Sequence, residues 1–175
     1  FAGVDFNEVL HEIEWSTLLF FIGLFVMVGA LIETGIIGAI ANRLIARAQH
    51  SPAATAIALL WISAAASSVV DNIPFVATVN PMLIELAGTF AADPAQLGSA
   101  HLHAAPMMPF WWALALGACL GGNATLVGAS ANVVVAGIAE RSGHPIGFKH
   151  YLRYGIPITL MSISICTIYI WLRYL

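Results

Sequence analysis

The sequence predicts an all-α integral membrane protein, and three observations carry that prediction. Of its 175 residues, 60% are hydrophobic and only 9% are charged, with a mean hydropathy of +0.89, far from the balance of a soluble domain. Uncharged runs extend over Trp15 to Ile32, Phe110 to Ala139 and Tyr154 to Leu172, each matching or approaching the roughly 20 residues that cross a hydrocarbon core about 30 Å thick. Two apolar segments are also interrupted at mid-depth by polar, helix-loosening clusters. The more telling is Ser67-Ser68-Val69-Val70-Asp71-Asn72-Ile73-Pro74, whose aspartate has twenty uncharged residues before it and thirteen after it. A carboxylate at bilayer depth costs about 2.5 to 3.5 kcal/mol on insertion scales, and Pro74 withholds a helix hydrogen bond at the same place. Polarity kept at that cost marks half of an ion or substrate site.

The elements follow in order. Phe1 is not an initiator Met, and no basic n-region or small-residue cleavage pattern follows it, so the chain is expected to start mid-protein rather than with a signal peptide. An acidic lead-in, Asp5, Glu8, Glu12 and Glu14, ends at Trp15, an aromatic suited to the membrane interface, and Ser16 or Thr17 can cap the first span, 15–35. Over 36–49, Ile36, Ile37, Ile40, Leu44 and Ile45 recur with helical spacing while Asn42, Arg43 and Arg47 gather opposite. That pattern fits a helix lying in the interface, and a frayed extension of the first span is the alternative. Glu33 fits the interface better than the site.

Ser51-Pro52 opens the next segment, in which Ala54 to Val70 spans roughly 26 Å of helix and Phe75 to Gly88 about 21 Å. Two short arms joined by Asp-Asn-x-Pro predict a re-entrant hairpin over 52–88, tolerated where its irregular tip is buried in protein or lines a wet cavity. Thr89 to Pro109 is rich in Ala, Pro, Gly, Gln, Ser and His and predicts a loop. Its His101-Leu-His103 lacks Cys, Asp or Glu at matching spacing and is read as solvated rather than as a metal site.

A broken helix is expected over 110–139, with Gly121-Gly122-Asn123-Ala124-Thr125-Leu126-Val127-Gly128-Ala129-Ser130-Ala131-Asn132 at its middle. Freed carbonyls, hydroxyls and amide oxygens suit a hard monovalent cation, while a half-helix N-terminus favours an anion. Close helix packing through Gly117-xxx-Gly121 is the competing use of the small residues. Asn123-Ala124-Thr125 also matches a glycosylation sequon, but at membrane depth. A basic loop, Arg141 to Arg153, and a final span, 154–175, complete the chain.

The net charge of −3 says little about partners; membrane lipid is expected, and nucleic acid is not. Cys119 and Cys166 lie in apolar segments without metal-ligand spacing, so a disulfide framework is not expected; no cofactor other than bound Na+ is expected. With room for four or five passes and no nucleotide-binding loop, any transport is expected to run on gradients.

Two broken segments in succession, each with a polar tip near mid-membrane, point to a secondary transporter's binding site. Trp15-Ser-Thr-Leu-Leu-Phe-Phe with Glu33-Thr-Gly35, Val70-Asp-Asn-Ile-Pro-Phe75 and Gly121 to Asn132 resemble the C-terminal half of the ion transporter superfamily, in its citrate transporter-like, arsenite-pump, melanosomal P-protein and D-type sodium/proton antiporter branches. The resemblance covers nearly the whole chain. It implies one of two inverted repeats, elevator motion of hairpin and broken helix against a scaffold, a homodimer in the cell inner or plasma membrane, and a first repeat that lies outside this sequence.

The resemblance also implies the site. The hairpin tip maps onto Val70 to Pro74, where Asp71 stands in place of a neutral residue and adds a charge that can bind a cation or exchange a proton. The broken-helix loop maps onto Gly122, Asn123, Thr125 and Ser130 to Asn132. The expected ion- or substrate-binding set is Ser67, Ser68, Asp71, Asn72, Gly122, Asn123, Thr125, Ser130 and Asn132, with Na+ at Asp71, Asn72, Asn123 and Thr125, and Pro74, Gly121 and Gly128 structural. Candidate cargoes are Na+ exchanged for H+, an oxyanion such as arsenite, or a carboxylate such as citrate.

Basic residues are tied across the membrane if 52–88 is a hairpin, with Arg43, Arg47 and Arg173 on one side and Arg141, Lys149 and Arg153 on the other. A single crossing would break the tie but needs a helix of roughly 50 Å, too long even with tilt. The family resemblance puts the 141–153 loop in the cytoplasm. Two other classes compete with the carrier. Gly128-Ala129-Ser130 resembles an intramembrane serine-protease motif, but all six histidines lie in flanks or loops, where none can activate the serine. A purely structural membrane subunit would tolerate loss of Asp71.

Overall fold

Prolines stand in the first turns of three helices in the computed structural model, which describes residues 51–89 and 105–175 together with scattered positions between 19 and 50. Helix α1 is Pro52–Ser67, with Pro52 in its first turn. Helix α2 is Asn72–Thr89, and Pro74 is its third residue. Helix α3, Met108–Gly121, carries Pro109 in its first turn, so the helix begins just inside the segment expected to be loop. First-turn N–H groups have no intrahelical acceptor, so a proline there costs nothing and presets the backbone. Pro74 therefore starts the second helix rather than interrupting a continuing one, and the break itself is residues 68–71. After a 3-10 turn, Gly122–Ala124, come α4, Ser130–Arg141, and α5, Phe148–Tyr174. Among the described residues all regular structure is helical.

The 15–35 and 36–49 segments lie mostly outside the described residues. Their described positions from 19 to 33 and from 39 to 50 are helical. Between the two stretches Gly35 has φ 72°, the left-handed geometry that commonly ends a helix.

The seam between α1 and α3 is made by small residues. A β-carbon on Gly117 would lie 2.5 Å from the Leu60 carbonyl oxygen and 2.8 Å from Ser63 Cβ, and one on Gly121 would overlap the Ala64 backbone. These two glycines therefore serve the close packing that is one of their two sequence readings. The pairings 117 with 60 and 121 with 64 run α1 parallel to α3, and the Ser67 hydroxyl donates to the Ala118 carbonyl at 2.6 Å near the end of the seam. Helix α2 returns along α3: Asn72 and Val76 share a cavity wall with Cys119, while Leu83, Leu86 and Ala87 join Met107, Phe110, Ala113 and Leu114 in one core.

Gly121→Ala is expected to destabilise the protein by about 1 to 3 kcal/mol, because the atoms it meets are backbone and cannot rotate aside. Gly137, in the middle of α4, has nothing within 4 Å of the place a β-carbon would take, so Gly137→Ala should instead stabilise by roughly 0.5 to 1 kcal/mol. Thermal unfolding in detergent distinguishes the two.

Helix α5 closes the arrangement. Ile163 and Ile170 enter the core, and the Trp61 indole N–H donates to Thr167 Oγ1 at 3.1 Å. Its 27 residues measure about 40 Å at the helical rise. Among the described residues it is the one helix long and apolar enough to cross a membrane. It begins earlier than the sequence suggests. The expected loop from Arg141 to Arg153 shrinks to 142–147, turning through Gly143 at φ 80°, and Lys149 and Arg153 ride on the first turns of α5. The basic residues mark the end of the apolar run, not the end of the helix, which can extend beyond the hydrocarbon with its charges solvated. No residue of α4 is buried, although Val133, Val134, Val135 and Ile138 are large and apolar.

Candidate functional site

The two helix breaks meet. The break at 68–71 and the unwound stretch 122–129 are tied by the Thr125 hydroxyl, which donates to the Ser68 carbonyl at 2.5 Å, and by the Ser130 backbone N–H, which donates to Asp71 Oδ2 at 3.0 Å. The other carboxylate oxygen, Oδ1, accepts from Ile73 N–H at 3.2 Å, and the Asp71 carbonyl accepts from Phe75 N–H at 3.3 Å. Asp71 is thus the N-cap of α2 and at the same time caps α4 from across the junction. Each helix start carries unsatisfied N–H groups and the positive end of a dipole, so one negative charge serves both. That solves locally the problem of a carboxylate in an apolar chain.

Asn132 and Gly128 shape the second break. The Asn132 side-chain amide donates to the carbonyls of Gly122 and Thr125, at 3.1 Å each, and pins the unwound stretch in place. A β-carbon on Gly128 would sit 2.6 Å from the Gly122 carbonyl oxygen, 2.9 Å from that of Ser68 and 3.0 Å from that of Ser67. Three carbonyl oxygens, from the two breaks and the last residue of α1, therefore converge on a position that only glycine can fill. A β-carbon on Gly122 would meet the Gly128 carbonyl oxygen at 2.7 Å in the same sense. Thr125→Val removes the one side-chain bond that joins break to break through a hydroxyl. It should cost about 1 kcal/mol of stability, measured by thermal unfolding, and a serine at the same position should restore it.

The expected site residues divide into those gathered at this junction and those that are not. Asp71, Thr125, Ser130, Asn132, Gly122 and Gly128 are gathered there. Ser67 and Ser68 contribute backbone carbonyls only, because the Ser67 hydroxyl is buried against Ala118 and the Ser68 hydroxyl donates to Ala65 in its own helix at 2.6 Å. Asn72 and Asn123 part company. Asn72 lines a cavity of about 360 Å³ with Ile73, Val76, Ala77 and Cys119. Asn123 lines one of about 390 Å³ with His150, Tyr151, Tyr154 and Gly155. The four residues expected around one Na+ do not line a common cavity in this arrangement, because the two asparagines leave the junction on different sides.

Sequence reasoning missed two contributors. Gly155 of α5 comes so close to the junction that a β-carbon would lie 2.7 Å from the Ala124 carbonyl and 2.8 Å from that of Asn123; its place shortly before Pro157 in an apolar helix was the available signal. Thr159 is the other. It lines a cavity of about 230 Å³ with Trp61, Ser68, Thr125 and Ile163, and its buried hydroxyl has no hydrogen-bond partner.

Interrupted apolar helices that meet at their breaks, around a carboxylate held by two helix starts, define a membrane protein of the transporter class. The chain belongs to the citrate transporter family, whose pattern it matches over residues 1–117. It is 45% identical over 173 residues to an uncharacterized transporter of Mycobacterium tuberculosis, covering 99% of this chain and 38% of that protein. A 46 kDa membrane protein of Mycobacterium leprae is 44% identical over 174 residues, again 99% of this chain and 38% of the relative. The P protein of Mus musculus is 42% identical over 176 residues, 98% of this chain and 20% of that protein. The chain thus spans well under half the length of these relatives. No solved structure matches it.

Proposed function

We propose that this chain is the second repeat of a secondary active, cation-coupled carrier of a small carboxylate, with the junction at Asp71 as its coupling site. The observation that carries the reading is the Asp71 carboxylate bonded to the first turns of both α2 and α4. Helix starts attract an anionic substrate, yet a second carboxylate 4 Å from Asp71 would be repelled by about 4 kcal/mol at an effective dielectric constant of 20. A cation or proton at Asp71 removes that repulsion, so anion binding and cation binding become one event. The carbonyls of Ser67, Ser68 and Gly122, which converge at the junction, are oxygen donors of the kind that Na+ takes.

The family's description as a citrate transporter favours a carboxylate over arsenite or simple Na+/H+ exchange. The uncovered apolar face of α4 is suited to the first, inverted repeat, which would lie outside this chain and complete the substrate site. Elevator motion of the α1–α2 hairpin with the broken pair α3–α4, in a homodimer in the plasma membrane, is the mechanism in keeping with two breaks tied to each other.

Uptake of labelled citrate into proteoliposomes holding the full-length protein tests the reading. An inward Na+ or proton gradient should accelerate uptake in the wild type and have no effect in Asp71→Asn. Exchange of Na+ for H+ without citrate uptake would instead favour an antiporter, and citrate uptake indifferent to both gradients would remove the cation from the mechanism.

A further inference from the structure

Away from the junction, the helical positions before α1 present Arg43, Arg47 and His50 at i, i+4 and i+7, all exposed, along one stripe. The helical stretch that carries the stripe ends where α1 begins: Ser51 N–H donates to the Arg47 carbonyl at 3.0 Å, and Ser51 itself turns out of the helix at φ −153°, ψ 83°. Together with Ala46, Ser51 and Ala54 these three side chains line a cavity of about 520 Å³. We propose that this cavity is a binding site for a phosphate ester, presented by an anionic lipid headgroup or by a free phosphate.

Two features of the cavity select an anion, and a third points to its source. Among the described residues, neither guanidinium has a hydrogen-bond or ion-pair partner, so none of these residues offsets the two positive charges that line the cavity, and guanidinium groups bind phosphate oxygens in pairs. The start of α1 supplies backbone donors. Ser51 makes no side-chain capping bond, the first turn holds no acidic residue and Pro52 lacks an N–H, while Thr55 N–H is already spent on the Ser51 carbonyl. That leaves the N–H of Ala54, which lines the cavity, as an open donor at the positive end of the helix. The cavity's depth points to a lipid as the source. The twenty-residue uncharged run of the chain begins at Ser51, directly beside the arginines, so the cavity sits where charge gives way to apolar sequence. Headgroup phosphates occupy that level of a bilayer, and Ala46 and Ala54 offer an apolar floor to the attached glyceryl ester. A bound headgroup would pin the helix before α1 to the membrane plane while α1 enters the core.

Native mass spectrometry of the full-length protein with phosphatidylglycerol, phosphatidylcholine, inorganic phosphate or glycerol phosphate tests the site, with melting temperatures of the lipid-free variants as a check on folding. Each basic side chain near a membrane surface is worth about fivefold in anionic-lipid binding, so Arg43→Gln with Arg47→Gln should weaken phosphatidylglycerol binding about 25-fold. Phosphatidylcholine binding should stay unchanged, and so should the effect of phosphatidylglycerol on Arg153→Gln. Ala54→Glu, which leaves both arginines in place and adds a carboxylate to the cavity wall, should abolish the preference as well. Binding of glycerol phosphate at the concentrations that displace phosphatidylglycerol would keep the phosphate site and make a free phosphate its source. Equal retention of the two lipids by the wild type, or equal losses in Arg153→Gln and the double variant, would overturn the proposal.

Discussion

Gly128→Ala is expected to abolish transport by the full-length protein and to lower its stability by about 3 kcal/mol or more, at the upper end of what overpacking costs. The added methyl would meet carbonyl oxygens of Gly122, Ser68 and Ser67 at 2.6, 2.9 and 3.0 Å. All three belong to backbone that is itself fixed: Gly122 by the Asn132 amide, Ser68 by the Thr125 hydroxyl, and Ser67 by its own bond to Ala118. Relief therefore requires the two breaks to separate, and separation undoes the site. Unfolding in detergent and uptake in proteoliposomes should fail together. A Gly128→Ala protein that melts and transports like the wild type would mean that the breaks are not in contact.

Asp71→Ala should carry the second largest effect, about 2 to 4 kcal/mol of stability. Loss of an N-cap typically costs about 1 kcal/mol and up to 2, and the carboxylate caps two helices at once, with a charge–dipole contribution of about 0.3 to 1 kcal/mol at each. Asp71→Asn keeps a carbonyl oxygen that can still cap one helix start, so it should lose roughly half as much. Both should be equally inactive in gradient-driven uptake, because both lack the charge. Stability that tracks the capping and transport that tracks the charge would separate the two roles of one side chain. An Asp71→Asn protein with wild-type gradient dependence would leave Asp71 a cap and nothing more.

The sequence is most legible where the signals are local. Asp-Asn-x-Pro and Gly-Gly-Asn mark the two breaks because glycine, proline and a capping aspartate act within a turn of where they stand. The resulting helix bounds, Ser67 to Asn72 and Gly121 to Ser130, lie within a few residues of those signals. Direction is not legible. Asn72 directly follows the first break and Asn123 lies at the start of the second, yet the two open onto different cavities, since the path of an irregular turn is fixed by what packs around it. Ser67 and Ser68 stand out in the sequence for hydroxyls that in fact bond within and between helices, while their carbonyls do the converging. Backbone oxygens carry no residue-type signature, so a site built from them is visible only in three dimensions. Gly155 escapes sequence reasoning for a related reason: its role depends on α5 crossing the second break, a contact between distant segments.

The melting temperature of the purified full-length protein in Na+, Li+ and K+, across pH and for wild type and Asp71→Asn, tests the cation at the junction most directly. A ligand that binds only the folded state stabilises it by about 2.7 kcal/mol at a hundred times its dissociation constant. The junction predicts stabilisation by Na+ above that by K+, weakening as protons compete at low pH and absent in Asp71→Asn. The same response to all three ions, unchanged by the substitution, would contradict it.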